Sequence, residues 1–165
     1  SFDGGDMGFQ YDVKSSHKTT SGAVIASGRI RLKGGIVCPS VTSTAHMVFA
    51  ENTPTLATYS QTTTVITVTM ANSFTVGDRV WLTITSGSAV TAAYAVATAS
   101  SSTFTVTAAS ATNSGNVSVY SSILLEVDTS NATTFSFTCP GDGILAESGL
   151  YVGVPTSVTA TAFYG

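Results

Sequence analysis

Apolar residues recur in this chain at every second position, and no window carries them convincingly at the three- and four-residue spacing of an amphipathic helix. The clearest run is Thr64-Val-Ile-Thr-Val-Thr-Met70, which puts Ile66, Val68 and Met70 on one face. The same alternation selects Val80, Leu82 and Ile84, then Tyr94 and Val96, then Phe104 and Val106, then Val117 and Val119. Threonine fills many of the intervening positions, and its branched Cβ favours extended backbone. The richest alanine segment, Thr91 to Ala111, is broken by β-branched residues and serines and does not read as a helix. An all-β chain is therefore expected.

Composition decides whether such text is ordered. Serine and threonine fill close to a third of the 165 positions, which alone would suit a disordered chain. Disorder, however, goes with low hydrophobicity and high net charge, whereas this chain is 43% hydrophobic, only 9% charged, and carries a formal net charge of −3. Its polar surface must be made largely of hydroxyls and backbone, wrapped around a real core. The length suits one ordinary domain, or a core domain carrying a small extra module.

The texture changes twice. Residues 1–21 open with Gly, Asp or Met at six of the first eight positions and read as an irregular N-terminal arm. Strand text follows at Ala23-Val-Ile25, Arg29-Ile-Arg-Leu-Lys33, Ile36-Val-Cys38 and Ala45 to Ala50, with Gly34-Gly35 and Pro39 as interruptions. From about Thr58 to Tyr120 come five short strands separated by turn signals such as Val76-Gly-Asp78, Ser86-Gly-Ser88 and Asn113-Ser-Gly115. After residue 120 the first texture returns, with strands at Ile123–Asp128, Thr133–Thr138, Ile144-Leu145, Gly149–Val152 and Ser157–Tyr164. Neither flank has enough apolar faces to close a core alone. The expected architecture is a discontinuous, jelly-roll-like β-sandwich built from residues 1–57 and 121–165. A small five-stranded, β-barrel-like module, residues 58–120, is inserted between them.

Several kinds of chemistry lack their residues. With six Lys and Arg against nine Asp and Glu, the chain has no basic field to neutralise phosphates, so no nucleic-acid partner is expected. Arg29, Arg31 and Lys33 alternate with Ile30 and Leu32 and read as the wet face of a half-buried strand. His17 and His46 are the only histidines, and neither HxxxH nor CxxC occurs, so neither a zinc site nor a Ser-His or Cys-His centre is expected. Ser122 and Ser148 lie outside any G-x-S-x-G. Asp128, Asp142 and Glu147 could supply paired carboxylates, yet read more simply as turn caps at the sheet ends. Asp3, Asp6 and Asp12 are close enough in sequence to hold calcium but match no known loop. Gly4-Gly5 and Gly34-Gly35 fit neither a dinucleotide nor a phosphate loop. Cys38 and Cys139, each before a proline, read as small hydrophobes, a bridge between them being the other possibility. No apolar stretch approaches the 18 residues of a membrane span, so a soluble protein is expected. Catalytic, cofactor-binding and metal-binding residues are accordingly expected to be absent.

Aromatic residues are the stronger lead. Trp81 falls on the face opposite Val80, Leu82 and Ile84, so it must be covered by another part of the chain or by a partner. Phe163 stands likewise opposite Val158, Ala160, Ala162 and Tyr164. With Phe2, Phe9 and Tyr11 of the arm, these two are the candidate interface residues.

Ile66-Thr-Val-Thr-Met-Ala-Asn-Ser-Phe-Thr-Val-Gly-Asp-Arg-Val-Trp-Leu82, Phe104 to Ser110 and Ser114-Gly-Asn-Val117 together resemble a small β-module found inside virion proteins of tailed phages, especially marine and cyanobacterial ones. Gly28-Arg-Ile-Arg-Leu-Lys-Gly34 and Cys139 to Val152 are similar to the outer parts of such proteins. Cys139 and Ala146 depart from that pattern, which commonly has an apolar residue before Pro-Gly and an aromatic at the second position. The resemblance implies a non-enzymatic virion structural protein, assembled in the host cytoplasm, with the major capsid protein or other virion proteins as partners. Within that class a capsid decoration (cement) protein acting as a homo-oligomer, a trimer by preference, is expected. A tail, knob or fibre-attachment subunit is the alternative. From a different class, a carbohydrate-binding sandwich would stack a surface glycan on Trp81 and on Tyr11, Tyr59, Tyr94 or Tyr151.

Overall fold

Strands before and after the central segment interleave, so the outer parts of the chain build one body. The computed structural model describes residues 13–19, 22–40 and 46–165, and these are all-β with no helix. Before the central unit come β1 (Lys14–Lys18), β2 (Ala23–Ser27), β3 (Ile30–Pro39) and β4 (His46–Glu51). The unit itself holds β5 (Thr55–Thr69), β6 (Arg79–Ile84), β7 (Ala92–Ala99) and β8 (Thr103–Tyr120). After it come β9 (Ile123–Asp128), β10 (Phe135–Thr138), β11 (Ile144–Ala146), β12 (Gly149–Gly153) and β13 (Val158–Tyr164).

One outer sheet runs β1-β13-β3-β10, with β11 also on β3, and the other runs β2-β12-β4-β9. All pairings in both are antiparallel. Because β13 lies between β1 and β3, and β12 between β2 and β4, each flank completes the other's sheets. Leu32 and Val37 of β3, Val158 and Ala160 of β13, Met47 and Phe49 of β4, and Leu150 and Val152 of β12 share one buried cluster. This is the discontinuous sandwich that the alternation implied.

Two details of the flanks differ from expectation. Residues 14–18, read as part of an irregular arm, form β1 and pair with Tyr164 to Ala160 of β13. Gly34-Gly35 does not end a strand either: β3 runs through it for 10 residues. A Cβ at Gly35 would lie 2.7 Å from the Thr161 carbonyl oxygen and 2.9 Å from the Phe137 ring, so the residue lets strands and ring approach closely.

The central unit is a four-stranded sheet in the order β5-β8-β6-β7, with β7 also returning to β8. It is not the five-stranded, barrel-like module expected, and it does not close into a barrel. Two expected strands, at 102–107 and 116–120, are the ends of the single 18-residue β8. The text between them lacks large apolar residues, but it pairs with β5 from Thr63↔Ala111 to Tyr59↔Gly115. A polar chain holds this stretch: Tyr59 Oη donates to Asn113 Oδ1 (2.6 Å), Asn113 Nδ2 to Gln61 Oε1 (3.0 Å), and Gln61 Nε2 to the Ala109 carbonyl (2.7 Å). Gln61 is buried, and these bonds satisfy it. The core of the unit contains Ile66, Val68, Val80, Leu82, Tyr94, Val96, Phe104, Val106, Val117 and Val119, with Met70 and Ile84 packed against it. Thr55 pairs with Val119 and the Glu51 N–H donates to the Ser122 carbonyl, so the two crossings between the units lie side by side.

Glu51, at the end of β4, pins the turn between β11 and β12. Its carboxylate accepts the N–H groups of Glu147 (2.9 Å) and Ser148 (3.0 Å) and the Ser148 hydroxyl (2.6 Å). Slight burial pushes the carboxyl up, but the Ser148 hydroxyl and the two N–H donors outweigh it and hold the pKa below its ordinary value of 4.5. A depressed carboxyl pKa contributes stability that is fully present above the ordinary value and is lost as pH falls through the folded-state value. Glu51→Gln is therefore expected to flatten the acid limb of a stability-versus-pH curve below about pH 4.5, measured by urea unfolding at successive pH values. An unchanged acid limb would refute this role.

Candidate functional site

The seam between the sandwich and the central unit is built around Trp81. Alternation in β6 sends Val80 and Leu82 into the unit's own core and Trp81 to the opposite side, where it is 0% exposed. There it packs with Val48 and Ala50 of β4, Tyr120 of β8 and Tyr151 of β12. Met47 and Phe49 of the same β4 point the other way, into the sandwich core. The unbroken apolar run Met47-Val-Phe-Ala50 is thus a strand buried on both faces.

Hydrogen bonds and close packing fix the indole. Its Nε1 donates to Thr83 Oγ1 (3.0 Å), and Thr83 Oγ1 shares a hydrogen bond with Tyr151 Oη (2.6 Å). The Tyr151 ring stacks on Tyr120 with centroids 3.7 Å apart and planes 14° from parallel. Burial, together with the neighbouring Tyr151, pushes the Tyr120 phenol up to about 12. The indole lies against the backbone of β12 at Gly153, where an added Cβ would be 2.3 Å from its Cδ2.

An ion cluster rims this seam. Arg79 Nε donates to both carboxylate oxygens of Glu126 (2.9 and 3.1 Å), its Nη2 reaches Oε1, and His46 Nδ1 lies 3.0 Å from the same Oε1. One side chain from the sandwich, His46, and one from the central unit, Arg79, so share the Glu126 carboxylate, with Arg79 bound in the bidentate mode. Arg79 and Glu126 edge a shallow cleft that Phe74, Asp78, Ser121 and Ile123 complete.

A larger depression lies where the sandwich is open. β9 and β10 are outer strands of the two sheets on the same side, and the core shows between them. Leu125 and Val127, Phe135 and Phe137, Cys139 and Ile144 line this apolar groove of about 490 Å³.

The sequence-derived candidates fare differently. Trp81 is enclosed by its own chain, so it offers no surface to a partner or sugar, and of its two expected settings the intrachain one is found. Tyr59, Tyr94 and Tyr151 are also buried and cannot serve as stacking platforms. Phe163 is half-buried on β13, beside Ser15 of β1 and Gly34 of β3. Phe2, Phe9, Tyr11, Asp3, Asp6 and Asp12 lie outside the described residues. Arg29 pairs with Glu147 (3.1 Å), while Arg31 and Lys33 donate to the carbonyls of Gly143 and Asp142, so all three engage the segment after Pro140. Asp128 is held below the ordinary carboxylate range by the backbone N–H of Ser130.

Cys38 and Cys139 are both free. Cys38 pairs with Thr159, whereas the Cys139 N–H donates to the Lys33 carbonyl, five residues away along β3. Among the described residues no three His, Cys, Asp or Glu side chains gather as a metal site, and no helix is long and apolar enough to cross a membrane. The Arg79–Glu126–His46 cluster and the groove carry no signal at sequence level: β4–β9 pairing brings His46 to Glu126, Arg79 comes from β6 of the other unit, and the groove's two walls belong to different sheets.

No known protein family, no curated protein and no solved structure matches this chain.

Proposed function

We propose that this chain is a non-enzymatic virion structural protein, a decoration (cement) protein that docks on the major capsid protein of a tailed-phage head as a homo-oligomer. The observation that carries the reading is the locked seam. A hydroxyl-surfaced sandwich and a nested β-unit are joined through a buried tryptophan, a stacked tyrosine pair and a bidentate ion pair. Such a join makes one stiff body of the two units, as a repeated shell component needs. The resemblance of the β6 region and of the Cys139 to Val152 segment to virion proteins points the same way. Glycan stacking is disfavoured, since no described tryptophan or tyrosine is exposed.

The test is reconstitution. Purified protein added to shells that lack it should bind at symmetric sites on the head in a low-resolution reconstruction and raise the temperature at which the shells rupture. A chain lacking residues 1–12 should remain folded yet fail to bind. Density on the tail alone, or no association with particles, would overturn the head-decoration reading. Unchanged binding by the truncated chain would remove the N-terminal segment from it.

A further inference from the structure

The groove between β9 and β10 has the form of a strand-acceptor site. Each of its walls ends in a strand with no neighbour on its outer side among the described residues, so backbone N–H and C=O groups flank an apolar floor. An occupant that satisfies both features is an extended segment with one apolar face. Only one segment outside the described strands has that pattern over several residues: Met7-Gly-Phe-Gln-Tyr-Asp-Val13, apolar at 7, 9, 11 and 13. Val13, where it joins the sandwich, is 52% exposed.

Geometry decides whose groove it fills. Lys14 is fixed in β1 opposite Tyr164, on the far edge of the sheet from β10. Three strand spacings separate these edges, roughly 14 Å. If Met7–Tyr11 filled the groove, Asp12 and Val13 alone would have to bridge that gap, and the three extended steps from Tyr11 to Lys14 span about 10–11 Å. The segment therefore cannot reach the groove of its own chain.

We propose that residues 7–13 of one copy add a strand in the β9–β10 groove of the next, joining copies head to tail into a closed ring. A donor on one edge and an acceptor on the other make a heterologous contact, which closes when the rotation between copies permits. The contact supplies the homo-oligomer that the proposed shell role calls for, and its test on the free protein is separate from particle binding.

Cys139 in the groove wall supplies the test. Two full-length chains are co-expressed, both with Cys38→Ser. One carries Phe9→Cys and Cys139→Ser; the other keeps Cys139 as its sole thiol. Oxidised glutathione should give a covalent heterodimer on a non-reducing gel, well above a control in which Ser60→Cys replaces the arm cysteine. Native mass spectrometry of the unaltered chain should show a closed oligomer, reduced to monomer by Phe9→Asp with Tyr11→Asp at unchanged circular dichroism. Monomeric mass at high concentration, an oligomer that survives the double substitution, or a heterodimer yield no greater than the control would each overturn the proposal.

Discussion

Trp81→Ala is expected to destabilise the protein by about 3–5 kcal/mol, the usual cost of emptying a large aromatic site in a packed core. Three features put the effect in this range. The indole is 0% exposed, so its whole apolar surface returns to water or lines a cavity. Its neighbours Val48, Ala50 and Tyr151 lie on paired strands of the sandwich and cannot move in without breaking β4–β12 ladder bonds. Tyr120, at the end of β8, packs in the same cluster and stacks on Tyr151, so the vacancy loosens the second contact between the units as well. Guanidinium unfolding followed by far-ultraviolet circular dichroism should show a lower midpoint. It should also show loss of a single cooperative transition, because the central unit keeps its own core around Phe104 and Leu82. Phe104→Ala, inside that core, should cost a similar amount while leaving the seam intact. A Trp81→Ala loss under about 1 kcal/mol would mean that the seam does not join the two bodies.

How much of this was legible in the sequence follows from the range of each interaction. Period-two alternation is local, and every apolar position it assigned to the central unit, from Ile66 to Val119, lies in or against that unit's core. Strand existence in the flanks was equally legible: Ile123–Asp128 is β9 residue for residue. Continuity was not. Gly34-Gly35 and the stretch from Ala108 to Gly115 look like breaks because they lack large side chains. Partner strands nonetheless hold them extended, β13 and β10 at the first and β5 at the second. Lys14–Lys18 was hidden for the same reason, since its polar text becomes a strand only beside β13. The side of β6 that Trp81 occupies could be read from the sequence, but its cover could not. Val48 and Tyr151 are distant along the chain, and no spacing rule links them to residue 81. Glu126 and Arg79, 47 positions apart, are the electrostatic version of the same limit.

Gly153→Ala is expected to destabilise the protein by about 1–3 kcal/mol, and the cost should largely vanish when Trp81 is alanine. The added methyl would sit 2.3, 2.5 and 2.7 Å from Cδ2, Cε2 and Cε3 of Trp81. These atoms belong to the fused ring and not to a flexible tip, so relief requires moving the whole indole. The ring is tethered through Nε1 to Thr83, and β12 is paired with β4 at Gly153↔Val48, so neither side can yield cheaply. In a Trp81→Ala background the methyl enters vacated space and recovers part of the lost packing, which makes the two substitutions strongly non-additive. Equilibrium unfolding of the wild type, both single variants and the double variant gives the coupling directly. A cost for Gly153→Ala that is unchanged without the indole would place its origin in the β12 backbone. The expected coupling would instead show that Gly153 is needed because an indole from one unit rests on the bare backbone of the other. The same contact holds the central unit and the sandwich in a fixed relation, the stiffness on which the proposed shell role depends.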